Sequence, residues 1–184
     1  GNVVLNGLGD PAEIERTRAD LEASSGVRVL YHPADMTRGD EIADMIAFAE
    51  RELGRLDILV NNAGIQHVES VEHFPTDQWE KIIAINLSST FYATKAAIPI
   101  MKAQGRGRII NMASAHGLVA SPFKSAYVAA KAAQLGLTRE WAAELAPDGI
   151  RVNAVAPGPI WTPLIPATMP EEKVETFGED TPLQ

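Results

Sequence analysis

A doubly wound α/β domain, with a parallel sheet covered by helices on both faces, is the fold class that this 184-residue sequence predicts. Three observations predict it. Short runs rich in Val, Ile and Leu alternate with longer stretches whose apolar residues recur at three- and four-residue intervals. The short runs are nearly continuous in apolar character, as strands buried on both faces must be. The composition, 46% hydrophobic and 22% charged, is that of a globular chain with a core, which excludes a disordered or fibrous class. One domain over residues 1–184 is expected, because a chain of this length buries most of its apolar surface around a single core.

The first strand is expected at Val3 to Asn6 and the first helix at Pro11 to Ser24. Asp10 is placed to accept from the amides of the opening turn, Pro11 suits the first helical position, and Glu13 completes a capping-box-like pattern. Gly7-Leu8-Gly9, between them, has the look of a phosphate-binding loop. Asp10 would repel a phosphate, however, and no third glycine follows, so the segment reads as a plain strand-to-helix turn. Next come a strand at Val27 to His32, a helix at Asp40 to Leu53, a strand at Leu56 to Asn61 and a long helix at Thr76 to Gln104. A strand at Arg108 to Ala113, a helix at Phe123 to Leu145 and a strand at Ile150 to Ala156 complete the alternation. The stretch from Pro157 to Gln184, rich in Pro, Thr and Glu, is expected to be the most mobile.

The formal net charge of -8 opposes attraction to phosphate backbones and anionic lipid, so neither nucleic acid nor membrane is an expected partner. The absence of cysteine removes disulfides, thiolate nucleophiles and the commonest structural zinc sites. His32, His67, His73 and His116 form no HExxH arrangement, and no metal site is expected. With no uninterrupted apolar stretch of membrane length and no basic-then-apolar leader at its start, the chain is expected to be cytoplasmic.

Candidate chemistry gathers at the ends of strands. Tyr127 and Lys131 are four residues apart on a predicted helix, so their side chains stack about one turn apart on one face. A tyrosine is a poor base at neutral pH, but a nearby ammonium favours its phenolate, which makes the two a candidate acid/base pair; such a spacing also occurs in ordinary solvated pairs. Ser114 falls just past a strand, where the carboxyl ends of parallel strands open onto a ligand crevice and its hydroxyl can hold a substrate oxygen. A turn or cap serine is the plainer alternative. Asn61-Asn62-Ala63-Gly64 follows another strand and suits a backbone that turns sharply and approaches a flat ligand, or equally an asparagine-rich turn.

Asn61-Asn62-Ala63-Gly64, Ser114, Tyr127-x-x-x-Lys131 and Pro157-Gly158, in this order and spacing, resemble the short-chain dehydrogenase/reductase family across essentially the whole chain. The resemblance implies a Rossmann-type fold and hydride transfer between a nicotinamide cofactor and a small alcohol or ketone. It implies that Ser114 orients the carbonyl, Tyr127 donates or accepts the proton, and Lys131 lowers the tyrosine pKa and binds the nicotinamide ribose. Asn86 would hold a water linking the lysine to solvent. Asp35 would lie near the adenine, a turn residue or helix cap being the plainer alternative; Met36, Asn62, Ala63, Gly64, Pro157, Gly158 and Ile160 would bind the cofactor, and Thr162 would contact its nicotinamide end. Asn6-Gly7-Leu8 offers neither an acid for a free ribose hydroxyl nor an arginine for a 2'-phosphate. NAD is expected because no cation is near, with NADP left open.

Within the family, Ile65-Gln66-His67 and the segment from Ser114 to Tyr127 resemble the branch acting on D-3-hydroxybutyrate and acetoacetate. That implies that Gln66, His116 and Lys124 hold the carboxylate of a hydroxy or keto acid, where a cation and two hydrogen-bond donors offset its desolvation. Pro159-Ile160-Trp161-Thr162-Pro163 and the residues after it look more like sugar-type or broad-specificity members, which is the alternative reading. A catalytically silent dinucleotide-binding protein is a third. The family also implies a homo-oligomer, a tetramer, with the two long helices as subunit contacts. Its glycine-rich first strand-helix unit and its last strand have no match here, so the sequence is expected to be a fragment of a longer chain.

Overall fold

The computed structural model describes residues 1–162, 165–166 and 171–178. Strands and helices alternate in the order β1 (Val3–Asn6), α1 (Pro11–Ser25), β2 (Val29–His32), α2 (Gly39–Leu53), β3 (Ile58–Asn61), α3 (Thr76–Ile83), α4 (Ser89–Gln104), β4 (Gly107–Met112), α5 (Ser125–Leu145), β5 (Ile150–Val155) and α6 (Glu171–Glu175). The described strands pair in parallel in two groups, β1 with β2 and β3-β4-β5 in that order. Helical crossovers between parallel strands make this the expected α/β class. Among the described residues, no helix is long and apolar enough to cross a membrane.

Local chemistry sets the element ends. Asp10 Oδ1 accepts from the amides of Ala12 (2.9 Å) and Glu13 (3.1 Å), which starts α1 where the sequence places it. Gly7 and Gly9 have open space around them, in keeping with a plain connection. Strand β2 begins at Val29 rather than Val27, and the Arg28 amide donates to Asn2 Oδ1. Strand β3 begins at Ile58 rather than Leu56, whose amide donates to Gln104 Oε1. At Arg28 a side chain takes the amide that a longer ladder would use. Strand β4 gains Gly107 by pairing it with Ile150.

Two helices depart further from expectation. Helix α5 begins at Ser125 rather than Phe123, whose φ of 67° is left-handed and cannot continue a right-handed helix. The single helix expected from Thr76 to Gln104 is interrupted by a π-helical turn at Ala84–Ser88. The stretch expected to be mobile falls partly outside the described residues.

The core lies between the three-stranded group and the helices over it. Ile42 and Ile46 of α2, Ala93 and Ala97 of α4, and Trp141 and Leu145 of α5 pack with Leu59, Ile109 and Val152 of the strands. Each large side chain buried this way contributes roughly 1.5–3 kcal/mol. Because β3, β4 and β5 run parallel in register, Asn61, Asn111 and Ala154 lie across from one another. The segments holding Asn62, Ser114 and Pro157 therefore all leave the sheet at one edge.

Candidate active site

Pairing between β4 and β5 continues past their formal ends, with the Ala113 amide donating to the Val155 carbonyl (2.8 Å) and the Ala115 amide to the Pro157 carbonyl (2.9 Å). Ser114 is held between these two bonds, extended and buried. Its Oγ accepts from the His116 amide at 3.2 Å. A short 3₁₀ turn, Ala115–Gly117, follows and rests on α5. A Cβ on Gly117 would lie 2.8 Å from the Lys131 carbonyl oxygen, so only glycine lets the turn sit this close to the helix backbone.

Helix α5 presents Tyr127 and Lys131 one turn apart, with Nζ of Lys131 5.7 Å from the centre of the Tyr127 ring. Lys131 is buried, and its Nζ donates to the Met112 carbonyl at 2.5 Å and to Gln134 Oε1 at 3.1 Å. Burial pushes the pKa of this ammonium down to about 8. The His116 ring stands edge-on to Tyr127, their centres 6.3 Å apart. Burial, and then the charge of Lys124, lower the His116 pKa, favouring the neutral imidazole. Lys124 is itself buried, at the entrance to α5.

Asn86 sits in the middle of the π turn, fully buried. Its Nδ2 donates to the Ile65 carbonyl and its Oδ1 accepts from the Ile65 amide, both at 2.9 Å. The widened turn thus clamps the loop that follows β3, and π turns recur where a helix must aim one residue at a functional site. Gly64 lies just ahead of the clamp, where a Cβ would be 3.7 Å from both Asn86 Oδ1 and Lys131 Nζ. Asn61 is buried and has a structural part: its Nδ2 donates to Asn111 Oδ1 (2.9 Å), and Asn111 Nδ2 donates to Thr138 Oγ1 (2.9 Å).

These elements enclose a cavity of about 890 Å³, within the size range of small-molecule sites. Its wall brings together Asn62, Gly64, Gln66, Ser114, His116, Lys124, Tyr127, Lys131, Pro157, Gly158, Ile160 and Thr162 of the residues expected from the sequence. It does not include Asp35, Met36, Ala63 or Asn86. The Asp35 carboxylate accepts from the Thr37 amide and hydroxyl, both at 2.8 Å, and these bonds lower its pKa. Met36 packs against the core.

Sequence reasoning missed Phe177, which lines the cavity and stands edge-on to the exposed Trp161. It also missed Gln134, whose only signal was a polar residue three positions after Lys131 in an alanine-rich helix. Among the described residues, no cluster of His, Asp or Glu could hold a metal ion. The wall does suit a nicotinamide and its ribose. Asn62 and Gly64 are exposed at a strand end where backbone can approach a flat ring, and Lys131 supplies a cationic donor beside them.

A family model described as short chain dehydrogenase matches residues 2–173. D-beta-hydroxybutyrate dehydrogenase of Rhizobium meliloti (strain 1021) is 55% identical over 171 residues, covering 93% of this chain and 66% of that protein. The protein of the same name from Cupriavidus necator is 51% identical over 165 residues, covering 89% and 63% respectively. The chain thus spans just under two thirds of the length of these relatives. The crystal structure of NAD+-bound xylitol dehydrogenase has a TM-score of 0.82 at 31% identity, over 88% of this chain and 62% of that one.

Proposed function

The chain belongs to the short-chain dehydrogenase family, and on that premise we propose that it acts as an NAD-dependent oxidoreductase interconverting D-3-hydroxybutyrate, or a similar short hydroxy acid, with its keto acid. One observation carries the substrate class. The described cavity wall holds His116, Lys124 and Lys131 around Tyr127 and contains no carboxylate, although the whole chain carries a net charge of -8. A local excess of basic groups in an acidic protein favours a small anion.

A bound nicotinamide supplies the hydride acceptor for oxidation and the hydride donor for reduction. This chain's residues hold the substrate and move its proton. Ser114 gives its hydroxyl hydrogen to the substrate oxygen, its own oxygen already accepting from the His116 amide. Tyr127 takes the hydroxyl proton when the alcohol is oxidised and returns one to the oxygen when the ketone is reduced. Lys131 places positive charge over the face of the Tyr127 ring, where it favours the developing phenolate. Gln66, His116 and Lys124 receive the carboxylate, and burial of Lys124 strengthens its attraction for that charge. Asn86 keeps the Gly64 segment in place through its two bonds to Ile65.

A sugar or other alcohol is the second reading. Trp161, exposed beside the cavity and edge-on to Phe177 at 5.8 Å, offers an apolar face on which a polyol can pack. We place the protein in the cytoplasm as a homo-oligomer, a tetramer by resemblance. Exposed Phe91 and Tyr92 on α4 suit a subunit contact. The test is to mix the purified full-length protein with NAD and D-3-hydroxybutyrate and follow absorbance of the reduced cofactor. Growth of the signal is expected; silence here with turnover of xylitol or another alcohol would overturn the hydroxy-acid reading.

A further inference from the structure

Gln134 has no part in the reading above, yet it is fully buried in an otherwise apolar stretch of α5 and its amide is spent on two specific partners. Its Oε1 accepts from Lys131 Nζ at 3.1 Å, and its Nε2 donates to Thr90 Oγ1 at 2.9 Å, across to buried Thr90 of α4. The orientation of the amide follows from charge: only the oxygen can face an ammonium, so the NH₂ group must turn to the hydroxyl. Burying an amide without a functional return costs stability, and an apolar residue would fill the same space between α4 and α5 at less cost.

We propose that Gln134 is a positioning residue for Lys131, and that Thr90 orients Gln134 for that task. Of the three ammonium hydrogens, one goes to the Met112 carbonyl at the end of β4 and one to Gln134. These two acceptors lie on different elements and hold Nζ between strand and helix, leaving the third hydrogen for the cavity. The acceptor on Gln134 also favours the charged form of the lysine against its burial. Among the described residues, the charged and titratable groups around the ammonium are few. Tyr127 lies on its own helix, His116 on the 3₁₀ turn and Lys124 at the entrance to α5, while Met112, Asn86 and Thr90 present neutral groups from β4, the π turn and α4.

The inference rests on the reading of Lys131 as part of the reaction machinery, and its test reads Lys131 directly so that the two can fail separately. In the full-length protein with ¹³C-labelled lysine, the Lys131 side-chain signal is assigned by its loss in Lys131→Met and titrated by NMR without substrate. Gln134→Leu removes the acceptor and is expected to lower the midpoint by about half a unit or more, whereas Gln134→Glu, of equal size, raises it. Thr90→Val, which keeps Gln134 but frees its amide, shifts the midpoint in the direction of the leucine variant and serves if that variant does not fold. The alkaline limb of turnover against pH moves with each midpoint. A midpoint unchanged in the folded variants, or moved the same way by leucine and glutamate, would overturn the proposal. Opposite shifts in a protein that turns over no alcohol would leave Gln134 in its place and discard the dehydrogenase reading instead.

Discussion

Lys131 keeps a charge where charge is expensive, and its pH behaviour follows. The ammonium has its pKa lowered from 10.5 to about 8 by burial, so it gives up its proton as pH rises through about 8. Activity that needs its charge falls over the same interval. Stability moves the other way: between about 8 and 10.5 the unfolded chain binds more protons than the folded one, so unfolding free energy gains from this group as pH rises. Parallel pH series of turnover and urea unfolding check both signs, and stability that falls across this interval would show that another group governs it. Tyr127→Phe removes one phenol oxygen from a half-buried ring; turnover is expected to fall by roughly 10²–10⁴-fold or more while the thermal midpoint stays within a few degrees. Lys124→Met is expected to raise KM for a hydroxy acid and leave a neutral alcohol unaffected, as kinetics on both substrates will show.

Elements set these side chains in place. Gly117→Ala would drive a methyl group into the Lys131 carbonyl, and the expected outcome is a loss of about 1–3 kcal/mol in urea unfolding together with a lower kcat, as Ser114 and His116 are displaced. Unchanged kcat in that variant would mean that the turn can shift without cost to the site. Helix periodicity, the Asp10 cap and the strand runs were legible because each depends on neighbours in sequence. The π turn was not, since Asn86 widens the helix to reach Ile65, 21 residues away. Neither was the late start of α5, because the left-handed φ of Phe123 is adopted by a residue type that carries no signal for it. The strand starts at Val29 and Ile58 were likewise hidden, each bordered by an amide held by the side chain of a residue distant in sequence.

At the scale of the molecule, β4 lies between β3 and β5, and its Ile109 and Asn111 are fully buried, whereas β1 pairs with β2 and α1 contributes no buried residue. Amide exchange in this chain is expected to be slowest at Ile109 and Asn111 and at least about tenfold faster across β1, which residue-resolved hydrogen exchange by NMR will test. The parallel architecture could be read because local periodicity encodes it, and Ser114, Tyr127 and Lys131, expected together from the family resemblance, do line one cavity. The placement of Phe177 and Gln134 could not be read, because each is defined by a partner from another part of the fold. The turn at Gly117 bears on how such a protein diverges. Main-chain contact against α5 sets the distance from Ser114 to Tyr127 and Lys131, so on the proposed reading exchange of Gln66, His116 or Lys124 is expected to leave that frame standing. If the dehydrogenase reading holds, new substrate preferences are expected to be within reach of single mutational steps whose intermediates keep turning over.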